Sequence, residues 1–146
     1  MKVYDFKIPG SLCQLIDDGV WPDENSSINR QEREPLISKE VVQRIFPDFD
    51  KIVLMKPPFH TIGDEAKVWN DFWVTFLTNF GEIDYDKAVV IADFGLGSDS
   101  VIILYYESTN LPVVMYLNWS FVEQKICHSW VKTHDSFDSF IKDIDL

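Results

Sequence analysis

The chain has 146 residues with 24 acidic against 13 basic side chains, a formal net charge of −11. The acid excess recurs through each third of the sequence, which leaves no basic stripe for a nucleic acid and favours a partner with a basic protein surface, or acidity that serves only solubility. An apolar share of 46% with 11 Phe, 5 Trp and 5 Tyr excludes intrinsic disorder and reads as a single domain over 1–146, large enough to bury a core without staples.

The opening stretch "MKVYDFKIPGS" breaks at Pro9 and Gly10 before the apolar centre of a signal peptide develops. Only Cys13 and Cys127 are present, so the expectation is a cytoplasmic protein with both thiols reduced. "SLCQLIDDG" predicts a short helix with Ser11 as N-cap, Leu12, Leu15 and Ile16 on one face and Gly19 as its stop. Trp21 to Pro35 is polar and irregular enough for a mobile loop, and the first 35 or so residues are expected to be peripheral. "SKEVVQRIFP" predicts a second helix capped by Ser38, with Val41, Val42, Ile45 and Phe46 apolar and Pro47 just beyond.

Lys51 to Lys56, "KIVLMK", is a strand closed by Pro57 and Pro58, which withdraw two N–H donors. Asp64 then caps the most strongly patterned helix, in which Val68, Trp69, Phe72, Trp73, Phe76, Leu77 and Phe80 form one broad stripe and Gly81 is the C′ residue. This helix is expected along the main core. Ala88 to Phe94, Ser100 to Tyr106 and Val113 to Trp119 read as strands, apolar almost without alternation and therefore covered on both faces, and Ser129 to Thr133 reads as one more strand. The longest apolar run, Val101 to Tyr106, is far too short to cross a bilayer. Asp135 is expected to cap a closing helix with Phe137, Phe140, Ile141 and Ile144 at i, i+3, i+4 and i+7.

Between two of these strands stands "FGLGSDS". A dinucleotide fingerprint needs a third glycine and then a helix, and a Walker loop needs a Lys-Ser/Thr pair; neither is present. Gly95 and Gly97 are instead expected at positive φ in a turn between antiparallel strands, with Asp99 bonding nearby amides.

The segments "ADFGLGSDSVIILYY", "VVMYLNW" and "WVKTHDSFDSFI" resemble the second half of the SUKH superfamily, which includes bacterial immunity proteins and fungal cell-wall regulators. "PPFHTIGDE" and the aromatic helix behind it look like a bacterial branch of that group, so the resemblance covers roughly residues 40 to 146. It implies an α+β fold, a mostly antiparallel twisted sheet with packed helices, and it implies binding without catalysis: many relatives neutralise toxins, often nucleases. Gly95, Gly97, Asp99, Phe137 and Phe140 match its pattern in architectural roles. Because relatives bind different toxins through variable surfaces, it carries over no interface residue.

The residues themselves point away from catalysis. His60, His128, His134 and Cys127 contain no CxxC, HExxH or HxH pair, and neighbours in an extended strand point to opposite faces, so no metal and no cofactor is expected. A Cys-His nucleophile pair drawn from Cys13 or Cys127 has nothing that singles it out, and a small thiol hydrolase is the weakest of three readings. Glu82, Asp84, Asp86, Asp93 and Asp99, accompanied only by Lys87, form either an acidic docking edge or a solvated loop. Trp119, at a strand end, is the aromatic candidate for partner binding, with core membership as its alternative. The expected function is a non-catalytic immunity protein acting on a cognate toxin, with a regulatory scaffold for an endogenous protein as the second reading.

Overall fold

The computed structural model describes residues 1–68, 83–107 and 110–146. A two-residue hairpin, β1 (Lys2–Val3) with β2 (Phe6–Lys7), leads into α1 (Gly10–Asp17), a 3-10 turn at Ile28–Glu32 and α2 (Lys39–Ile45). β3 (Val53–Leu54) and β4 (His60–Thr61) flank the cis Pro57-Pro58 peptide and lead into α3 (Ile62–Val68). After a 3-10 turn at Tyr85–Lys87 come β5 (Ala88–Asp93), β6 (Val101–Tyr105), β7 (Val113–Val122), β8 (Lys125–His134) and α4 (Phe137–Asp143). The main sheet runs β3-β5-β6-β7-β8, with β4 also on β5, and its strand pairs are antiparallel. The fold is α+β.

β5 and β6 are buried on both faces, as their unbroken apolar runs require. Val89, Ile91, Ile102, Leu104 and Val114 face the main core, which Leu12, Val42, Phe46, Phe137 and Phe140 of the helical layer close. Ala88, Val90, Val101, Ile103, Leu117 and Trp130 face the other side and meet Ile62 of α3. A bulge between Val90 and Ala92 shifts the β5 register and keeps Asp93 opposite Val101, on this second face.

The N-terminal segment is integral to the core and not peripheral. Ile8, Leu12 and Trp21 are buried in it, and the Trp21 indole N–H donates to the Met55 carbonyl at 2.7 Å. The stretch expected as a mobile loop holds buried Gln31, whose amide donates to the Leu54 carbonyl at 2.9 Å and accepts from the Leu54 N–H at 2.8 Å. A side chain thus pairs the outer edge of β3 as a neighbouring strand would, which satisfies a short edge next to the prolines.

Helix starts differ from the expected caps where other partners take the capping side chains. Ser38 does cap α2, accepting from the Val41 amide. α1 begins at Gly10 after Pro9, and the Ser11 hydroxyl donates instead to Asp138 of α4. For α3, the Thr61 hydroxyl accepts from the Asp64 amide at 3.1 Å, so Thr61 does the capping and Asp64 sits in the first turn. α4 is capped by Ser136, which accepts from the Ser139 amide at 3.1 Å, while Asp135 pairs with Lys132 at 2.9 Å. Gly19, at φ +72°, ends α1: its N–H reaches the Ile16 carbonyl and the Val20 N–H the Leu15 carbonyl, the Schellman pattern. The aromatic stripe from Trp69 to Phe80, with Gly81, lies outside the described residues.

Candidate functional site

The connector between β5 and β6 is a turn with Gly95 at φ +94° and Gly97 at φ +77°, joining antiparallel neighbours. Asp99 also takes positive φ, +51°, and it is the Asp93 carboxylate, not that of Asp99, that accepts from a turn amide, Gly95 at 2.9 Å. The Leu96 N–H is held by Glu32 Oε1 at 2.8 Å and the Ser98 N–H by the Gly95 carbonyl at 3.3 Å. The Gly95, Leu96 and Ser98 amides are thus committed to protein oxygens, two of them carboxylate, and the local charge repels an anion.

Glu32 is the keystone of this end of the molecule. Its Oε2 accepts from Lys51 Nζ at 3.0 Å, and Lys51 also donates to the Glu32 carbonyl at 3.0 Å. A Cβ at Gly95 would lie 2.9 Å from Lys51 Cδ and 3.1 Å from Glu32 Oε1, so close approach as well as φ demands glycine there.

Beside the turn opens a cleft of about 500 Å³ with Glu32, Glu65, Asp93 and Asp99 at its walls. Its apolar lining includes Val53, Val90 and Val101, which belongs to the second face of the sheet. Burial raises the Asp93 pKa above the ordinary carboxylate range; the Gly95 amide opposes the rise and the Glu32 charge adds to it. Trp119 closes the same end: its indole N–H donates to the Asp99 carbonyl at 2.9 Å.

The expected acidic edge separates into two groups. Asp93, Asp99 and Trp119 gather with Gly95 and Gly97 at one end of β5. Asp84 and Asp86 lie at the other end, where the Asp84 carboxylate caps the 3-10 turn by accepting from the Asp86 amide at 3.0 Å and Asp86 packs over Gly63. Six extended residues separate the groups, about 17–20 Å. Glu82 lies outside the described residues. Glu32, Gln31 and Lys51 were not legible as site residues, because their partners stand 64, 23 and 19 residues away.

Elsewhere, His134 Nε2 meets Asp143 Oδ2 at 2.7 Å and Arg44 donates to the Asp143 carbonyl at 2.9 Å, which fastens α4 to the sheet and to α2. Cys13 and Cys127 are free thiols. Among the described residues no group of three or more His, Cys, Asp or Glu is placed to hold a metal ion, and no helix is long and apolar enough to cross a membrane. No family model, curated protein or solved structure matches the chain.

Proposed function

We propose that the chain is a non-catalytic protein-binding domain, an immunity-type protein that neutralises a cognate toxin carrying a basic surface. The observation that carries this reading is the gathering of Glu32, Glu65, Asp93 and Asp99 around one open cleft beside Trp119, with Asp93 kept in a setting that disfavours its charge. A desolvated carboxylate that opposes its own ionisation marks a functional site more often than a solvated loop does. The resemblance of "ADFGLGSDSVIILYY" and the segments after it to immunity-protein relatives supports the same conclusion.

The chemistry follows from charge. Lysine or arginine side chains of the toxin approach the cleft and pair with Asp93 and Asp99, and the net charge of −11 steers the encounter at low salt. A nuclease is the toxin class this favours, since a surface that binds polyanionic substrate is the one an acidic cover complements and occludes. Co-expression with the toxin encoded beside the gene, together with calorimetric titration of the two purified proteins, tests it. Protection of the cells and a saturable complex are expected; neither protection nor binding would overturn the reading.

A further inference from the structure

The turn between β5 and β6 places a large apolar side chain in water. Leu96 is 91% exposed, the most exposed large hydrophobic among the described residues, and it stands between Gly95 and Gly97, both at positive φ. Turns in water ordinarily take Asn, Asp, Ser or Gly, whose side chains satisfy local amides or permit the backbone shape. Leucine does neither, and at this exposure it adds nothing to the core. The same turn is nonetheless fixed from three directions. Glu32 Oε1 accepts from the Leu96 N–H itself at 2.8 Å, Asp93 Oδ1 accepts from the Gly95 N–H at 2.9 Å, and the Trp119 indole N–H donates to the Asp99 carbonyl at 2.9 Å. Lys51, 3.0 Å from Glu32 Oε2, holds that clamp in its turn. The freedom that a surface loop usually keeps is thus already lost in the free protein, so a partner that covers Leu96 does not have to order it.

We infer that Leu96 is the anchor of the partner interface, entering an apolar socket on a protein whose rim carries Lys or Arg. Charge selects that rim. Leu96 shares the wall of the cleft with Glu32, Asp93 and Asp99, so a surface that closes over the leucine also meets carboxylates of the same turn and its clamp. A second copy of the chain would bring another net charge of −11 against them. The two kinds of group then do different work. The carboxylates speed encounter and reject wrong partners, whereas the desolvated leucine, held ready by its clamped amide, slows dissociation.

The inference rests on the protein-binding reading and adds to it the residue that sets the lifetime of the complex. The probe is the purified toxin used to test that reading, passed over the immobilised full chain by surface plasmon resonance at low and at physiological salt. Leu96→Ser is expected to raise the dissociation rate about tenfold or more, the effect of losing one buried leucine side chain, and to keep the parent's salt dependence of association. Leu96→Met, which keeps an apolar side chain of similar volume, should restore most of the lifetime. Leu111→Ser removes a leucine of similar exposure, 84%, beyond the opposite end of β6 and should leave both rates unchanged. In the parent complex the Leu96 methyl resonances should shift, a readout that does not depend on any variant folding. An unchanged dissociation rate in Leu96→Ser, equal losses in Leu96→Ser and Leu111→Ser, or unmoved methyl resonances would overturn the inference and leave the proposed function standing. So would a parent dimer in sedimentation that Leu96→Ser dissolves, which would assign the leucine to a second copy. A toxin that does not bind the parent at all would overturn the proposed function and this inference with it.

Discussion

The two faces of the sheet are made by the same strands and differ in what meets them. On one, α1, α2 and α4 seal the side chains of β5, β6 and β7 beneath Phe46, Phe94 and Tyr116, whose rings contact edge-on with centroids 4.9–6.1 Å apart. On the other, the apolar centre gives way to a carboxylate-walled cleft at the glycine turn and to the exposed rungs of the β7–β8 ribbon. The sealed face accounts for folding. The second face carries groups that core packing does not require, Phe121 at 74% exposure and Asp93 with its charge disfavoured by burial, and such groups are where function is to be sought.

The sharpest way to break the comparison is a cavity on the sealed face. Leu104→Ala, at a fully buried position of β6, should cost about 2–5 kcal/mol in denaturant unfolding, whereas Phe121→Ser should change stability by less than about 0.5 kcal/mol. Similar losses at the two sites would mean that the ribbon is part of the core.

The two glycines sharpen it next. Gly95→Ala combines φ +94° with contact against Lys51 and Glu32 and should cost about 2 kcal/mol or more, while Gly97, at φ +77° with open space around it, should cost about 1 kcal/mol as alanine and more as valine. The order of the two thermal midpoints is the check. A reversed order would show that the Glu32–Lys51 clamp does not hold the turn.

Asp93 yields the smallest effect and the most informative one. Its pKa is raised in the folded chain, so the native state holds the proton more tightly than the unfolded state and stability falls as pH rises from below the ordinary aspartate value through the raised one. Asp93→Asn keeps an acceptor for the Gly95 amide without the charge. It should therefore melt higher than the parent at neutral pH, with the difference closing as pH falls through the acid range. A variant that melts lower at neutral pH would show Asp93 to be a stabilising group and remove the argument that it is retained for binding.

The centre of the fold is readable from local chemistry. The unbroken Val and Ile runs of β5 and β6 announce strands covered on both sides, and Gly95 and Gly97 announce the turn between them, because only their own backbone conformations were needed. The ribbon was not readable beyond Trp119: the β7–β8 turn uses Glu123 and Gln124 at φ +51° and +64°, positions that ordinarily draw Gly or Asn, so no turn signal marks it. Of the site, Asp93, Asp99 and Trp119 were legible as candidates. Glu32 and Gln31 were not, since a polar stretch looks the same whether it is solvated or folded onto strands whose residues lie far along the chain. The caps at Ser11, Asp64 and Asp135 failed for a related reason: each of those side chains has a tertiary or ionic partner that outcompetes the helix end.

The most direct test of the proposal that the acidic second face binds a basic partner is the association rate of the proposed toxin, measured by stopped flow from low to physiological salt with the parent and with Asp93→Asn/Asp99→Asn. Steering by these carboxylates predicts that the parent's rate falls about tenfold or more as salt rises, and that the double variant associates more slowly at low salt with a shallower dependence. A rate indifferent both to salt and to the two carboxylates would contradict it.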